Sequence, residues 1–285
     1  MEIRTERGRV AAQNSMRVNH RKLSIGQLVF GGIVALILVF LVLPTLIVAP
    51  ISFSDARYLQ FPPTELSLRW YAEYFTDKDW VAATLFSARI ALSTTLAATV
   101  VGALAAVALV RGSFPGKSIV LGLALSPLLL PHIVIAIALY LFFAPLKLTG
   151  NFFGFLLAHT MLAVPYVVIS VSASLQKFDS TLELAALNCG ANRVQAFFTI
   201  VLPNILPGVF AGGIFAFISS FDEATVAFFI SGIDGKTITR KLFEDIDFSL
   251  TPVIAVVATL LVLVSLLLLG VYQFVQSKMD QPKHS

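Results

Sequence analysis

The sequence predicts an all-α, polytopic membrane protein with six transmembrane helices. Of its 285 residues, 57% are hydrophobic and only 13% are charged, whereas a soluble domain carries about 25% charged residues. The mean hydropathy is +0.87, and several apolar runs exceed the ~20 residues that a helix needs to cross a bilayer. The single cysteine, Cys189, excludes an internal disulfide and a cysteine-rich metal site. The net charge of +4 comes from basic residues scattered over the loops, which is not the pattern of a nucleic-acid-binding face.

Six apolar segments reach spanning length and are separated by polar breaks rich in glycine or proline. They are residues 25–50, 82–110, 118–143, 152–175, 209–231 and 252–274. We expect one membrane domain, 25–275, between a basic cytoplasmic tail, 1–24, and a second cytoplasmic tail, 276–285. The first segment is longer than the ~7–15 residue apolar core of a signal peptide, so we interpret it as a retained anchor. Whether the chain starts at Met1 or Met16 stays open.

The loop charges predict the orientation, because cytoplasmic loops carry an excess of Lys and Arg. With the amino terminus inside, the inner segments hold twelve Lys and Arg residues and five acids, and the outer segments hold seven and nine. We therefore expect both termini in the cytoplasm. In the outer loop 61–80, charges alternate with Trp70, Tyr71, Tyr74 and Trp80, which favours a helix whose rings anchor at the lipid interface.

The inner loop, 176–208, reads QKFDSTLELAALNCGANRVQAFFTIVLPNILPG and predicts a helix–turn–helix. Asp179 or Ser180 can cap a short helix that ends at Asn188, with Glu183 near its positive end. Gly190 then allows a reversal that a residue with a Cβ would resist.

Asn192 can cap a second helix over residues 193–200, which Pro203 and Pro207 are expected to stop. Its apolar face would consist of Val194, Phe197, Phe198 and Val201. Such a face suits the groove of a partner protein, or it rests on lipid; the residues alone leave both interpretations open.

The spacing within this loop resembles the EAA loop of inner-membrane permease subunits of ABC importers. The pattern AA-x-x-x-G followed by I-x-L-P is formed by Ala185, Ala186, Gly190, Ile200, Leu202 and Pro203. In that family the loop is a coupling helix that docks into the ATPase subunit. The family's glutamate position is Leu184 here, whereas Glu183 lies one residue earlier. The resemblance therefore implies docking without a salt bridge from position 184.

The resemblance extends over residues 66–261. The stretches LSLRWYAEYF, SPLLLPHIVIAIAL, LAHTMLAVPYVVISVSASLQ and FAFISSFDEATVAFFISG are similar to the second permease subunit of spermidine/putrescine importers. This resemblance implies the type I ABC importer permease fold in a bacterial inner membrane. The implied partners are a homologous permease, two ABC ATPase subunits and a periplasmic solute-binding protein, with ATP bound by the ATPase partner and no cofactor in this chain.

The sequence contains no motif of an enzyme. The segments GSFPGKS, 112–118, and GIDGKT, 232–237, lack the four residues that separate the glycines of a phosphate-binding loop. His132 and His159 lie alone in apolar segments, and we expect each to hydrogen-bond a neighbouring backbone group, with proton transfer as the alternative. For Arg89, snorkelling toward the interface is favoured over pairing with an acid in the bundle.

Asp222 and Glu223 interrupt the predicted fifth span. A carboxylate near the centre of a spanning helix costs about 2.5–3.5 kcal/mol, so we expect both to face the bundle interior or a watery path. One interpretation is that they hydrogen-bond neighbouring helices, one of them protonated. The other is that Ser219, Asp222 and Glu223 line the path of a cationic solute, whose ammonium groups need compensating charge once desolvated. On that hypothesis we expect Asp222 to contribute more.

Together these observations predict a permease subunit of an ABC importer for polyamines, working by alternating access. Within the same class, the solute could be an opine, an amino acid derivative or an aminophosphonate. A proton-coupled secondary transporter would also use intramembrane acids, but would not need the long inner loop. A membrane enzyme is disfavoured by the missing motifs.

Overall fold

The computed structural model describes residues 25–232, 235–248 and 250–279. The basic tail 1–24, with both candidate start methionines, and the end of the second tail lie outside this range. The chain divides into two compact units, 1–47 and 48–285, and the described part of the first is a single helix. The described residues form no strand beyond an isolated bridge between Ser54 and Leu66.

Twelve α-helices and one π-helical turn account for most of the described residues. In chain order the α-helices are α1 Ile25–Ile51, α2 Arg69–Thr76, α3 Lys78–Arg111, α4 Lys117–Leu129, α5 His132–Phe143, α6 Phe152–Lys177, α7 Ser180–Asn188, α8 Arg193–Ala196, α9 Leu202–Phe221, α10 Thr225–Ile230, α11 Ile238–Phe248 and α12 Val253–Met279. The π-helical turn, Phe197–Val201, joins α8 to α9.

The all-α prediction is confirmed, and so is the number of spans if one bent pair of helices counts as a single span. Among the described residues, five helical segments are long and apolar enough to cross a membrane, and α4 with α5 makes a sixth. The predicted third span, 118–143, is not straight, because α4 and α5 meet at an angle of 107°. Pro131 at this junction has no N–H to continue a helix and holds an extended ψ of 128°, which explains the bend.

The predicted fifth span, 209–231, is wrong in its position. The observed span is Arg193–Phe221, so it begins within the inner loop and ends before the two acids. The predicted stops at Pro203 and Pro207 are both wrong. Pro203 lies in the first turn of α9, where a missing N–H costs little, and Pro207 lies inside the same helix. The π-helical turn before it, with its wider hydrogen-bond spacing, accommodates the missing N–H of Pro203. The side-chain amide of Asn204 donates to the carbonyl of Ile200 at 2.7 Å.

The centre of the bundle is built from α3, α6 and α9, which pack against one another. Small residues permit this close approach. A Cβ on Gly102 of α3 would lie 2.7 Å from the Cβ of Val167 on α6, and a Cβ on Gly212 of α9 would lie 2.9 Å from its Cα. Val167 is therefore held between two glycines, as expected where apolar helices associate through small residues.

The predicted outer loop contributes to a packed aromatic cluster. Trp70, Tyr74 and Trp80 are buried against Val253 and Val256 of α12. The prediction that these rings anchor α2 in lipid is therefore wrong, since they pack inside the protein. No sequence pattern described above indicates α11, an amphipathic helix that contacts α3 and α12.

Candidate functional site

The acidic pair lies in the break between α9 and α10. Helix α9 ends at Phe221, and the N–H of Asp222 still donates to the carbonyl of Ile218 at 3.0 Å. The two acids are therefore not at the centre of a continuous spanning helix, and the insertion cost expected for that position does not apply. No proline or glycine lies at the break; instead, the Glu223 side chain accepts the N–H of Val226 in place of a backbone carbonyl.

Glu223 is buried and is held by three parts of the chain. One carboxylate oxygen, Oε1, accepts from the backbone N–H of Val226 at 2.7 Å, which caps the start of α10. The other, Oε2, lies 3.3 Å from Nδ1 of His132 at the start of α5. The Glu223 carbonyl accepts from the hydroxyl of Thr239 on α11 at 2.8 Å. Glu223 thus joins the break between α4 and α5, the break between α9 and α10, and helix α11.

Asp222 has a different environment from its neighbour. Its side chain is exposed, whereas that of Glu223 is only 6% exposed. Ser219 is half-buried and lies one turn before Asp222 on α9. The pair therefore consists of one exposed carboxylate, that of Asp222, and one that is bound within the protein, that of Glu223.

The histidines have partners that the sequence did not indicate. His132 is 47% exposed and faces the Glu223 carboxylate, so the expected backbone partner is wrong. His159 on α6 is buried, and its Nδ1 lies 2.9 Å from the hydroxyl of Ser220 on α9. The hydroxyl of Ser220 therefore points to α6, and this contact joins α6 to α9.

The guanidinium of Arg89 lies 5.8 Å from the ring centroid of Phe152. Phe152 is the first residue of α6, at the outer end of that helix in the predicted orientation. Such a position agrees with a side chain that reaches toward the interface, and the ring attracts the cation.

The inner loop has the predicted helix–turn–helix geometry. The Asp179 carboxylate accepts from the N–H of Thr181 at 2.9 Å, and this bond holds the pKa of Asp179 below its ordinary value. Asn192 and Gln195 form a reciprocal capping box at the start of α8. Gly190 has a φ of +93°, so the reversal needs a residue that tolerates the left-handed region.

The predicted apolar face of the second helix is divided between the interior and the surface. Val201 is buried and Phe197 is half-buried, so both belong to the bundle. Val194 and Phe198 are 65% and 59% exposed, and remain free for a partner.

The residues of the EAA-like pattern also differ in how far they are exposed. Ala185 and Pro203 are exposed, whereas Ala186, Ile200 and Leu202 are half-buried.

Glu183 has a partner that sequence reasoning missed. Its Oε2 lies 2.6 Å from Nη1 of Arg111, the last residue of α3. Arg111 is separated from it by 72 residues, and no local spacing relates them. Leu184, at the family's glutamate position, is exposed.

The glycine-lysine segment 112–118 connects α3 to α4, with Gly116 in the left-handed conformation before α4. It does not join a strand to a helix, so the prediction that it is not a phosphate-binding loop is supported by its context. In the second such segment, 232–237, residues 233 and 234 lie outside the described part of the chain.

Comparison with known proteins agrees with this architecture. Residues 98–281 match the family described as "Binding-protein-dependent transport system inner membrane component". A spermidine/putrescine transport system permease protein PotC from Haemophilus influenzae is 32% identical over 84% of this chain and 93% of its own length. A putrescine transport system permease protein PotI from Escherichia coli is 31% identical over 78% of this chain and 81% of its own.

The fold is also found in a solved structure. A chain of a bacterial ABC transporter involved in the import of the acidic polysaccharide alginate superposes with a TM-score of 0.70, at 16% identity, covering 88% of this chain and 97% of that one. At this identity the likeness concerns the fold alone. The match to the family over most of the chain, together with the multi-span helical fold, shows that this protein belongs to the inner membrane components of binding-protein-dependent transport systems.

Proposed function

We propose that this chain is one permease subunit of an ATP-driven importer of polyamines. The relatives named for spermidine and putrescine cover most of both chains, which supports this solute class. The observation that carries the proposal is the exposed carboxylate of Asp222 beside the buried, internally bound Glu223. A polyamine carries separated ammonium groups, and each needs a compensating charge when it leaves water.

In this proposal the path of the solute passes the break after α9. Asp222 binds an ammonium group of the solute, and the neighbouring hydroxyl of Ser219 lies on the same side of the helix end. Glu223 positions Asp222 without binding the solute, because its bonds to Val226 and His132 fix the position of the break. The loop charges favour the orientation with both termini in the cytoplasm.

The energy source belongs to other subunits in this proposal. Two ABC ATPase subunits supply ATP hydrolysis, one of them docking on the inner loop, whose exposed side chains include Leu184, Val194 and Phe198. A homologous permease completes the membrane part, and a periplasmic solute-binding protein delivers the solute. ATP closure of the ATPases then moves the loop, and the bundle alternates between inward and outward access.

Uptake by the reconstituted full complex tests the solute path. In Asp222→Asn the residue keeps its size and loses its charge. We expect spermidine uptake to fall about tenfold or more, because a hydrogen bond to a charged group contributes about 1.5–3 kcal/mol. Putrescine uptake should fall less, since putrescine has fewer ammonium groups to desolvate.

The matched control is Asp247→Asn, the same change at an exposed carboxylate on α11, which should leave uptake unaltered. An unmodified complex that imports neither polyamine with ATP would refute the solute class. Normal polyamine uptake by Asp222→Asn would refute only the role of Asp222 in the path.

A further inference from the structure

The inner loop is attached to the bundle by an ion pair that neither the family pattern nor the sequence spacing indicates. Nη1 of Arg111 lies 2.6 Å from Oε2 of Glu183, and the two side chains are 27% and 24% exposed. The guanidinium carbon of Arg111 also lies 5.3 Å from the ring centroid of Phe178, the residue before the cap of α7. Arg111 thus contacts the loop at two points.

This attachment matters because α7 is loosely held. None of its residues is buried, and Leu182 and Leu184 are 48% and 58% exposed. Helix α7 packs mainly against α8 and the π-helical turn, at the start of the fifth span. A force on α7 therefore reaches α9 through that turn, whereas Arg111 gives α7 a direct contact with the end of α3.

Arg111 terminates the helix best placed to carry such a force. Helix α3 has 34 residues, or about 51 Å at ~1.5 Å per residue. It packs along α6 and α9, and near its outer end the hydroxyl of Ser87 accepts from the N–H of Ile238 at 2.8 Å. The next residue, Thr239, donates to the carbonyl of Glu223. One helix thus connects the inner loop to the acidic break.

The position of the acid in the loop explains why the contact is internal. The family's glutamate position is occupied by Leu184, and the acid lies one residue earlier at Glu183. Successive helical residues point about 100° apart. Glu183 therefore faces Arg111, while Leu184 is left on the exposed side of α7. A positive side chain at the carboxyl end of α3 is also favoured by the helix dipole.

We propose that Arg111 is a positioning residue that couples the inner loop to the outer end of the bundle through its pair with Glu183. This inference rests on the proposed function, in which an ATPase subunit moves the loop. When α7 is displaced, the ion pair pulls on the end of α3, and α3 carries the motion past α6 and α9 to α11 and Glu223. Without the pair, the loop loses its direct ionic contact with α3, and movement of the loop is coupled less tightly to α3.

The test is the ratio of ATP hydrolysed to solute imported by the full complex in proteoliposomes. Arg111→Gln and Glu183→Gln should each raise that ratio about fivefold, the lower end of the usual coupling between distant sites. The ATPase subunits should still co-purify with both variants, since the exposed apolar surface of the loop is unchanged. The reciprocal exchange, Arg111→Glu with Glu183→Arg, should bring the ratio back toward that of the unmodified protein.

Removing an exposed charge elsewhere provides the control. Lys147 is exposed and lies outside the inner loop, α3 and α11, so Lys147→Gln should leave the ratio unchanged. Equal ratios in Arg111→Gln and the unmodified complex would overturn the inference, as would an exchange variant that assembles but couples no better than the single variants. Absence of ATP-dependent uptake in the unmodified complex would instead refute the proposed function.

Discussion

Truncation of Glu223 should destabilise the protein, whereas truncation of its neighbour should not. In Glu223→Ala, the N–H of Val226 loses the acceptor at 2.7 Å that begins α10. His132 loses the carboxylate at 3.3 Å, although that histidine is 47% exposed. In Asp222→Ala, an exposed side chain is removed from the adjacent position, so the two variants form a matched pair.

The size of the effect follows from these contacts. Loss of a helix cap costs typically about 1 kcal/mol, with a range of ~0.5–2. The pair with half-exposed His132 adds about 0–1 kcal/mol, because water screens it. A donor left without a partner in a buried site brings the cost to about 1–3 kcal/mol in total. Asp222→Ala should change the free energy of unfolding by less than about 0.5 kcal/mol, as surface substitutions usually do.

The assay has two readouts. Titration of each variant with sodium dodecyl sulfate in mixed micelles, followed by circular dichroism, gives the change in the free energy of unfolding. Polyamine uptake by the full complex gives the functional effect. We expect Glu223→Ala to lose stability and Asp222→Ala to lose uptake at unchanged stability.

Two results would refute this reasoning. If Asp222→Ala unfolds as readily as Glu223→Ala, the exposed acid is also a structural residue. If Glu223→Ala is as stable as the unmodified protein, the cap at Val226 contributes nothing and the assigned anchoring role of Glu223 is wrong.

The inner loop supplies two further predictions. Gly190→Val should uncouple ATP hydrolysis from uptake while largely sparing assembly, because a β-branched residue is strained at a φ of +93° even though a Cβ there meets no atom within 4 Å. Gly190→Asn, which tolerates this conformation better, is the control, and normal coupling in Gly190→Val would contradict the docking role of the turn. Cys189 is exposed, so a membrane-impermeant thiol reagent should label it only from the cytoplasmic side and less when the ATPase is bound. Labelling from the periplasm in intact cells would reverse the orientation.

Several features could be read from the sequence because they depend on neighbours in the chain. Long apolar runs predict spans, since a helix in lipid must satisfy its own backbone. Asp179, Gly190 and Asn192 were identified correctly as two caps and a reversal, because a cap acts within one helical turn and a positive φ is a property of one residue.

At other positions the tertiary structure differs from what the local sequence signals indicate. Pro203 looked like a stop, yet a π-helical turn before it lets the helix continue, so the fifth span begins earlier than the hydropathy indicates. The break at Asp222 has no sequence mark, since neither proline nor glycine stands there. Trp70, Tyr74 and Trp80 have the sequence pattern of lipid anchors, but α12 covers them.

The class of protein, the number of spans and the caps of the inner loop follow from the sequence, because hydropathy and capping are short-range. Which polar groups meet depends on the folded structure: Arg111 with Glu183, and His132 with Glu223. Each pair joins elements far apart in the chain, and no periodicity relates their positions. The packing of α3, α6 and α9 sets those distances. The two adjacent acids, which the sequence does not distinguish, therefore occupy different environments: Glu223 is buried and bound within the protein, and Asp222 is exposed.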